Sequence, residues 1–223
     1  MKAVILAAGV GSRLGYPNPK SLLVLPTGES IIARQVRLLK SEGISDIIIV
    51  VGHKKELIMR ELADITFIFN PDYQNTNTSK SLLCAVKNLD DDILWTNGDL
   101  IYDQEIIAAV KTQNFNTVIV NDSECGEEEV KYQLDGNGNI TLISKEVDNA
   151  RGEALGINLV KRESLTDFKK ALEECQDNDY FEMAIQILIN RDIIFKSYNV
   201  SGYRCIEVDF EEDWQRAIRM FGL

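Results

Sequence analysis

Short apolar runs that alternate with segments of helical period constrain this chain more than any other feature. AVILAAG (3–9), DIIIVVG (46–52), ITFIFN (65–70), DILWTNGD (92–99) and NTVIVND (116–122) are each about the length of a strand. Their near-continuous apolar character is that of strands covered on both faces. Between them lie SIIARQVRLLKSEGI, KELIMREL, SKSLLCAVKNL and QEIIAAVKT. In the first of these, Ile31, Ile32, Val36, Leu38 and Leu39 recur at helical spacing, with Ser30 as N-cap and Gly43 as stop. Such alternation folds as βαβ units: a Rossmann-like α/β architecture with an open, mixed but mainly parallel sheet and helices on both faces. After residue 122 the pattern changes. VKYQLDGNGNITLIS reads as a hairpin about Asp-Gly-Asn-Gly, followed by helices over 163–174 and 180–190. IIFKSYNV and RCIEVD read as strands and EEDWQRAIRMF as a closing helix. No linker or repeat interrupts residues 1–223, so one domain with a small antiparallel elaboration is expected.

Composition narrows the function classes. Lys and Arg number 24 against 35 Asp and Glu, a net charge of −11 spread along the chain. Nucleic acid needs clustered cations, so it is not an expected partner. No apolar run reaches the length of a membrane span. The apolar segment Ala3–Ala8 is too short for the core of a secretory leader, and a cytoplasmic location is expected. Cys84, Cys125, Cys175 and Cys205 are far apart in sequence and His53 is the only histidine. Reduced thiols are expected, and neither structural zinc nor a histidine-based triad fits.

AAGVGSRLGYPNPK follows the first strand. Glycines let a backbone approach an anion with its N–H groups turned inward, and Arg13 and Lys20 add two cations. A dinucleotide fingerprint would need glycine where Leu14 stands, and Pro17 and Pro19 forbid the helix that a P-loop lysine opens. The two prolines instead hold the segment extended and present Lys20 from a stiff arm. Asp99 closes the fourth strand and Asp209 a late one, both at the strand ends where open α/β sheets bind ligands. Two carboxylates with phosphate oxygens and water suffice for Mg²⁺.

Together these residues resemble the nucleotidyltransferases of the nucleoside-diphospho-sugar pyrophosphorylase fold. Their LAAGxGxR motif with a following PK is matched by Leu6, Ala7, Ala8, Gly9, Gly11, Ser12 and Arg13 and by Pro19-Lys20. Their two metal aspartates are matched by Asp99 in NGD and Asp209 in EVDFEEDW. The resemblance implies a Mg²⁺-dependent reaction in which an acceptor phosphate or phosphonate oxygen attacks the α-phosphorus of a nucleoside triphosphate and pyrophosphate leaves. Arg13 and Lys20 would be catalytic, and the loop residues from Leu6 to Ser12 would bind the nucleotide. Residues 1–122 would form the nucleotide half and 123–223 the acceptor half.

Sugar-specific members carry the longer RLxPxTxxxPK, whereas Arg13 and Lys20 are seven positions apart, as in methylerythritol phosphate cytidylyltransferases. NTNTSKSLLCA is similar to a stretch of licC-type phosphocholine cytidylyltransferases, which implies that Asn75, Asn77, Thr78 and Ser81 bind nucleotide. CTP is therefore the expected donor. The expected acceptor is small, phosphorylated and amine-bearing, such as phosphocholine, aminoethylphosphonate or a phosphorylated amino acid, as in cell-surface polysaccharide or phosphonate biosynthesis. Glu153, Tyr180 and Glu182, with Trp95 as a further aromatic, would hold its ammonium. Lys131 and Lys145 would hold its phosphate. ECGEEEV (124–130) reads as a solvated loop. Two other readings stand beside this one: a sugar-1-phosphate uridylyl- or thymidylyltransferase, and a non-catalytic regulatory subunit that binds nucleotide sugars.

Overall fold

A computed structural model describes residues 1–222. The first half forms β1 (Lys2–Ala7), α1 (Ile31–Ser41), β2 (Ile47–Val51), α2 (Lys55–Glu61), β3 (Thr66–Phe69), α3 (Thr78–Val86), β4 (Ile93–Asn97), β5 (Leu100–Tyr102), α4 (Gln104–Val110) and β6 (Asn116–Asn121). The second half forms β7 (Lys131–Leu134), β8 (Ile140–Ser144), β9 (Gly152–Val160), α5 (Arg162–Glu174), α6 (Phe181–Ile189), β10 (Phe195–Asn199), β11 (Cys205–Glu207) and α7 (Glu211–Phe221). Ser30 caps α1 as its position suggests, its Oγ accepting the Ala33 N–H at 3.2 Å.

The main sheet runs β10-β6-β9-β4-β1-β2-β3, with the β7–β8 hairpin attached through β9. Along that path every pairing is parallel except the two made by β9, which is antiparallel to β4 and to β6. β5 and β11 form a separate antiparallel pair. Both faces of the sheet are covered, and β1 shows why its run is continuous. Val4, Leu6 and Ala8 pack into the core beneath α3, α5 and α6, while Ala3, Ile5 and Ala7 pack into the core beneath α1 and α4. A third cluster, including Leu23, Ile101, Ile206 and Ala217, seats α7 on the β5–β11 pair.

The sequence reading misses β9. GEALGINLV carries two glycines and an asparagine, which weaken a strand signal, yet it is nine residues long and lies between β6 and β4. Gly156 holds φ +67°, beside a shift of register against β6 between Val118 and Val120. A side chain there would lie 2.7 Å from Asn97 Nδ2. Among the described residues the four thiols are free, and no helix is long and apolar enough to cross a membrane.

This topology sets where a ligand goes. The chain leaves β1 towards β2 on one side and returns to β4 on the other, so the ends of β1 and β4 flank a topological switch point. The end of β6 pairs with the start of β9, Asn121 opposite Glu153, and adds the second half of the chain to the same edge.

Candidate active site

A cleft of about 840 Å³ opens at that edge. Its floor is the Leu6–Ala7 end of β1 and the Asn97–Leu100 turn, and its walls come from the glycine loop, the start of β9, residues 123–130 and the β11–α7 junction. Pro19 is extended (φ −51°, ψ 132°), and Lys20 opens a short 3₁₀ turn, Lys20–Leu22. The ammonium is thus delivered from a stiff arm, as the prolines imply. Gly11, at φ +64°, packs directly on that lysine: a Cβ there would come within 2.8 Å of Lys20 Cγ.

Lys20 is buried and its Nζ lies 3.7 Å from Asp99 Oδ2 and in contact with Asp209 Oδ1. Arg13, on the 3₁₀ turn Ser12–Leu14, reaches Asp209 Oδ2 at 3.6 Å through Nη1. Four residues from distant parts of the sequence therefore converge. Glu207, which sequence reasoning did not single out, is beside them and accepts the Asn97 Nδ2 hydrogen bond at 3.3 Å. Burial raises the Asp99 carboxyl above its ordinary range, opposed by Lys20 and reinforced by Asp209. Burial, then repulsion from Asp99 and Asp209, pushes Glu207 well up.

The cluster is short of positive charge: the three carboxylates of Asp99, Glu207 and Asp209 meet two cations, Lys20 and Arg13. That donor set fits a hard divalent ion such as Mg²⁺, which needs only one or two carboxylates beside phosphate and water oxygens. Among the described residues no group of three or more His, Cys, Asp or Glu side chains is arranged as a self-sufficient metal cage.

The other expected residues divide. Leu6, Ala7, Gly9, Gly11, Asn77 and Thr78 line the cleft; the side chain of Ser12 lies outside the described residues. Asn77 and Thr78 also have structural work: Asn77 caps α3, and Thr78 Oγ1 accepts the Phe181 N–H at 3.1 Å. Three of the expected nucleotide-binding residues, Ala8, Asn75 and Ser81, are not among those that line the cleft. Ala8 is buried in the core and its carbonyl accepts the His53 N–H. Ser81 is buried and accepts from Asn70 Nδ2 at 3.0 Å. Asn75 closes a turn onto the Asp72 carbonyl.

Among the residues expected to hold the acceptor, Lys145, Glu153, Tyr180 and Glu182 line the cleft. Lys131 does not. Its Nζ donates to the Lys145 carbonyl at 2.7 Å, and it borders a separate hollow with Cys125 and Arg151. Trp95 is fully buried, stacked on Phe168 at 5.1 Å and edge-on to Phe181 at 5.6 Å, so it is core rather than a face for ammonium. The ECGEEEV segment is a solvated loop as expected, with Glu124, Glu127 and Glu128 exposed. It also lines the cleft, which nothing local in the sequence signals.

Glu182 is only 7% exposed, and its Oε2 has no hydrogen-bond partner among the described residues. Burial pushes its carboxyl up to about 7. Between the ordinary carboxylate range and pH 7 the folded chain thus keeps a proton that the unfolded chain has lost. Stability from this group is full below that window and falls as pH rises through it. Glu182→Gln is expected to remove a loss of at most about 3 kcal/mol between pH 4.5 and 8, read from urea midpoints. Parallel pH profiles for the two proteins would count against the assignment.

The MobA-like NTP transferase domain profile matches residues 3–164. The CMP-5'-(3-aminopropyl)phosphonate synthase of Streptomyces rubellomurinus is 36% identical over 117 residues, 48% of this chain and 18% of that protein. The choline-phosphate cytidylyltransferase of Streptococcus pneumoniae is 39% identical over 93 residues, 40% of this chain and 41% of that protein. The matched stretches thus span less than half the length of either relative. The solved structure of the CTP:phosphocholine cytidylyltransferase from Streptococcus pneumoniae shares the fold, with TM-score 0.82 at 21% identity over 99% of this chain and 98% of that one.

Proposed function

The chain belongs to the MobA-like NTP transferase domain family, and on that premise we propose that it is a cytidylyltransferase that moves CMP from CTP to a small phosphorylated, amine-bearing acceptor. The observation that carries this reading is the convergence of Arg13, Lys20, Asp99 and Asp209 at the switch point of the sheet. A non-catalytic subunit has no need of that set. CTP is favoured by the activities for which the two relatives are named and by the short Arg13-to-Lys20 spacing. An amine on the acceptor is favoured by Glu153, Glu182 and the exposed Tyr180 ring in the acceptor half of the cleft.

In the proposed reaction an ionised acceptor oxygen forms a bond to the α-phosphorus while the bond to the bridging oxygen breaks, and pyrophosphate leaves with that electron pair. No proton must move, which suits a site without histidine. Arg13 and Lys20 balance the charge that grows on the departing pyrophosphate, aided by the backbone N–H groups of the glycine loop. Asp99 and Asp209 would hold Mg²⁺, which when bound screens the phosphate charges from the incoming oxygen.

The test is pyrophosphate release with Mg²⁺, each of CTP, UTP, dTTP and ATP, and a panel of phosphocholine, aminoethylphosphonate and glucose 1-phosphate. Release is expected with CTP and the amine-bearing acceptors. Release confined to UTP or dTTP with the sugar phosphate would replace this reading, and silence with every pair would end it.

A further inference from the structure

Residues 122–130 cross from β6 to β7 over the cleft. The segment is tied down at Asp122, whose carboxylate accepts from Asn199 Nδ2 at 2.6 Å and from the Tyr132 hydroxyl at 3.2 Å. Further along, Glu128 is 59% exposed, yet its Oε2 lies 3.4 Å from Arg13 Nη1 and 3.2 Å from Lys145 Nζ. Arg13 comes from the glycine loop and Lys145 from the end of β8, so cations from opposite halves of the chain face one carboxylate oxygen. Lys145 is further fixed by the Tyr180 ring, 5.0 Å from its ammonium. A phosphate oxygen offers the same partners an equal or greater charge.

We infer that the gap between Arg13 and Lys145 is one anion subsite shared by the two halves of the cleft, and that Glu128 is its built-in occupant, displaced when a phosphate binds. The inference rests on the reading of the cleft as a phosphoryl-transfer site and adds a specificity device to it. A weak or singly charged anion does not outcompete a tethered carboxylate, whereas a phosphate dianion or pyrophosphate does. The neighbouring Glu124, Glu127 and Glu129 add repulsion that a ligand must overcome on entry.

Calorimetric titration of the free protein with inorganic pyrophosphate and, separately, with methyl phosphate tests this. Glu128→Gln is expected to tighten at least one of them by about 3- to 10-fold at low ionic strength, the scale of two exposed ion pairs released. The gain should shrink at high salt and in the Glu128→Gln/Lys145→Gln double variant. Tightening of pyrophosphate assigns the subsite to the nucleotide, and tightening of methyl phosphate to the acceptor. Unchanged or weaker binding of both anions overturns the inference, as does a failure of both anions to bind the variant. Thermal unfolding checks that the exposed substitution leaves the fold intact. Nucleotidyl transfer without tightening would remove the Glu128 proposal alone. Tightening without transfer from any triphosphate would keep the anion subsite and remove the proposed function.

Discussion

Lys20→Met is expected to lower turnover by about 10²- to 10³-fold, the scale seen when one preorganised group that meets developing charge is removed. Methionine keeps the aliphatic stem that packs on Gly11 and deletes only the ammonium. KM for the triphosphate should change less than turnover if the lysine acts mainly as pyrophosphate departs. The same substitution leaves Asp99, Glu207 and Asp209 facing one another without their nearest cation. A loss of stability of about 1–3 kcal/mol should follow in the free protein, below the range for a fully buried pair because Asp209 is a third exposed. Turnover within threefold of the parent would remove Lys20 from the chemistry.

Trp95→Ala should be the most damaging change away from the cleft. The indole is fully buried and contacts Phe168 and Phe181 from two directions. Truncating a buried aromatic of this kind costs about 3–5 kcal/mol, and for a chain of this size that lowers Tm by roughly 6–20 °C. Trp95→Phe makes the useful contrast. It gives up area but also removes a buried indole N–H that finds no acceptor among the described residues, so a loss below about 1.5 kcal/mol is expected. Equal losses for the two variants would mean that the cavity model misdescribes this core.

What the sequence discloses depends on whether a residue's role is local. Arg13, Lys20, Asp99 and Asp209 were legible because each sits in a short motif at the end of a strand, and strand ends on one edge of a parallel sheet meet by topology. Trp95 was misread because an aromatic in a strand looks the same whether it faces solvent, ligand or core. Glu128 and Glu207 were missed for a related reason. Their meaning lies partly in groups about half the chain or more away, Arg13 for Glu128 and Asn97, Asp99 and Lys20 for Glu207, and an acidic residue carries no mark of such a partner. Gly11 was read as backbone room for an anion; the close approach of Lys20 gives it a second reason. β9 was hidden by the glycines that its own work requires, since Gly156 provides the irregularity beside Asn97.

The reversed direction of β9 has a bearing on recombination. β6 belongs to the first 122 residues, but both of its sheet neighbours, β9 and β10, come from the remainder. A chimaera joined at that point, meant to pair one protein's triphosphate half with another's acceptor half, would strand β6 between two foreign partners. Exchange of acceptor preference between relatives is therefore better attempted by grafting the rim, residues 123–130 with Lys145, than by splicing halves. The interleaved sheet makes the cleft heritable as a unit, with its rim as the editable part.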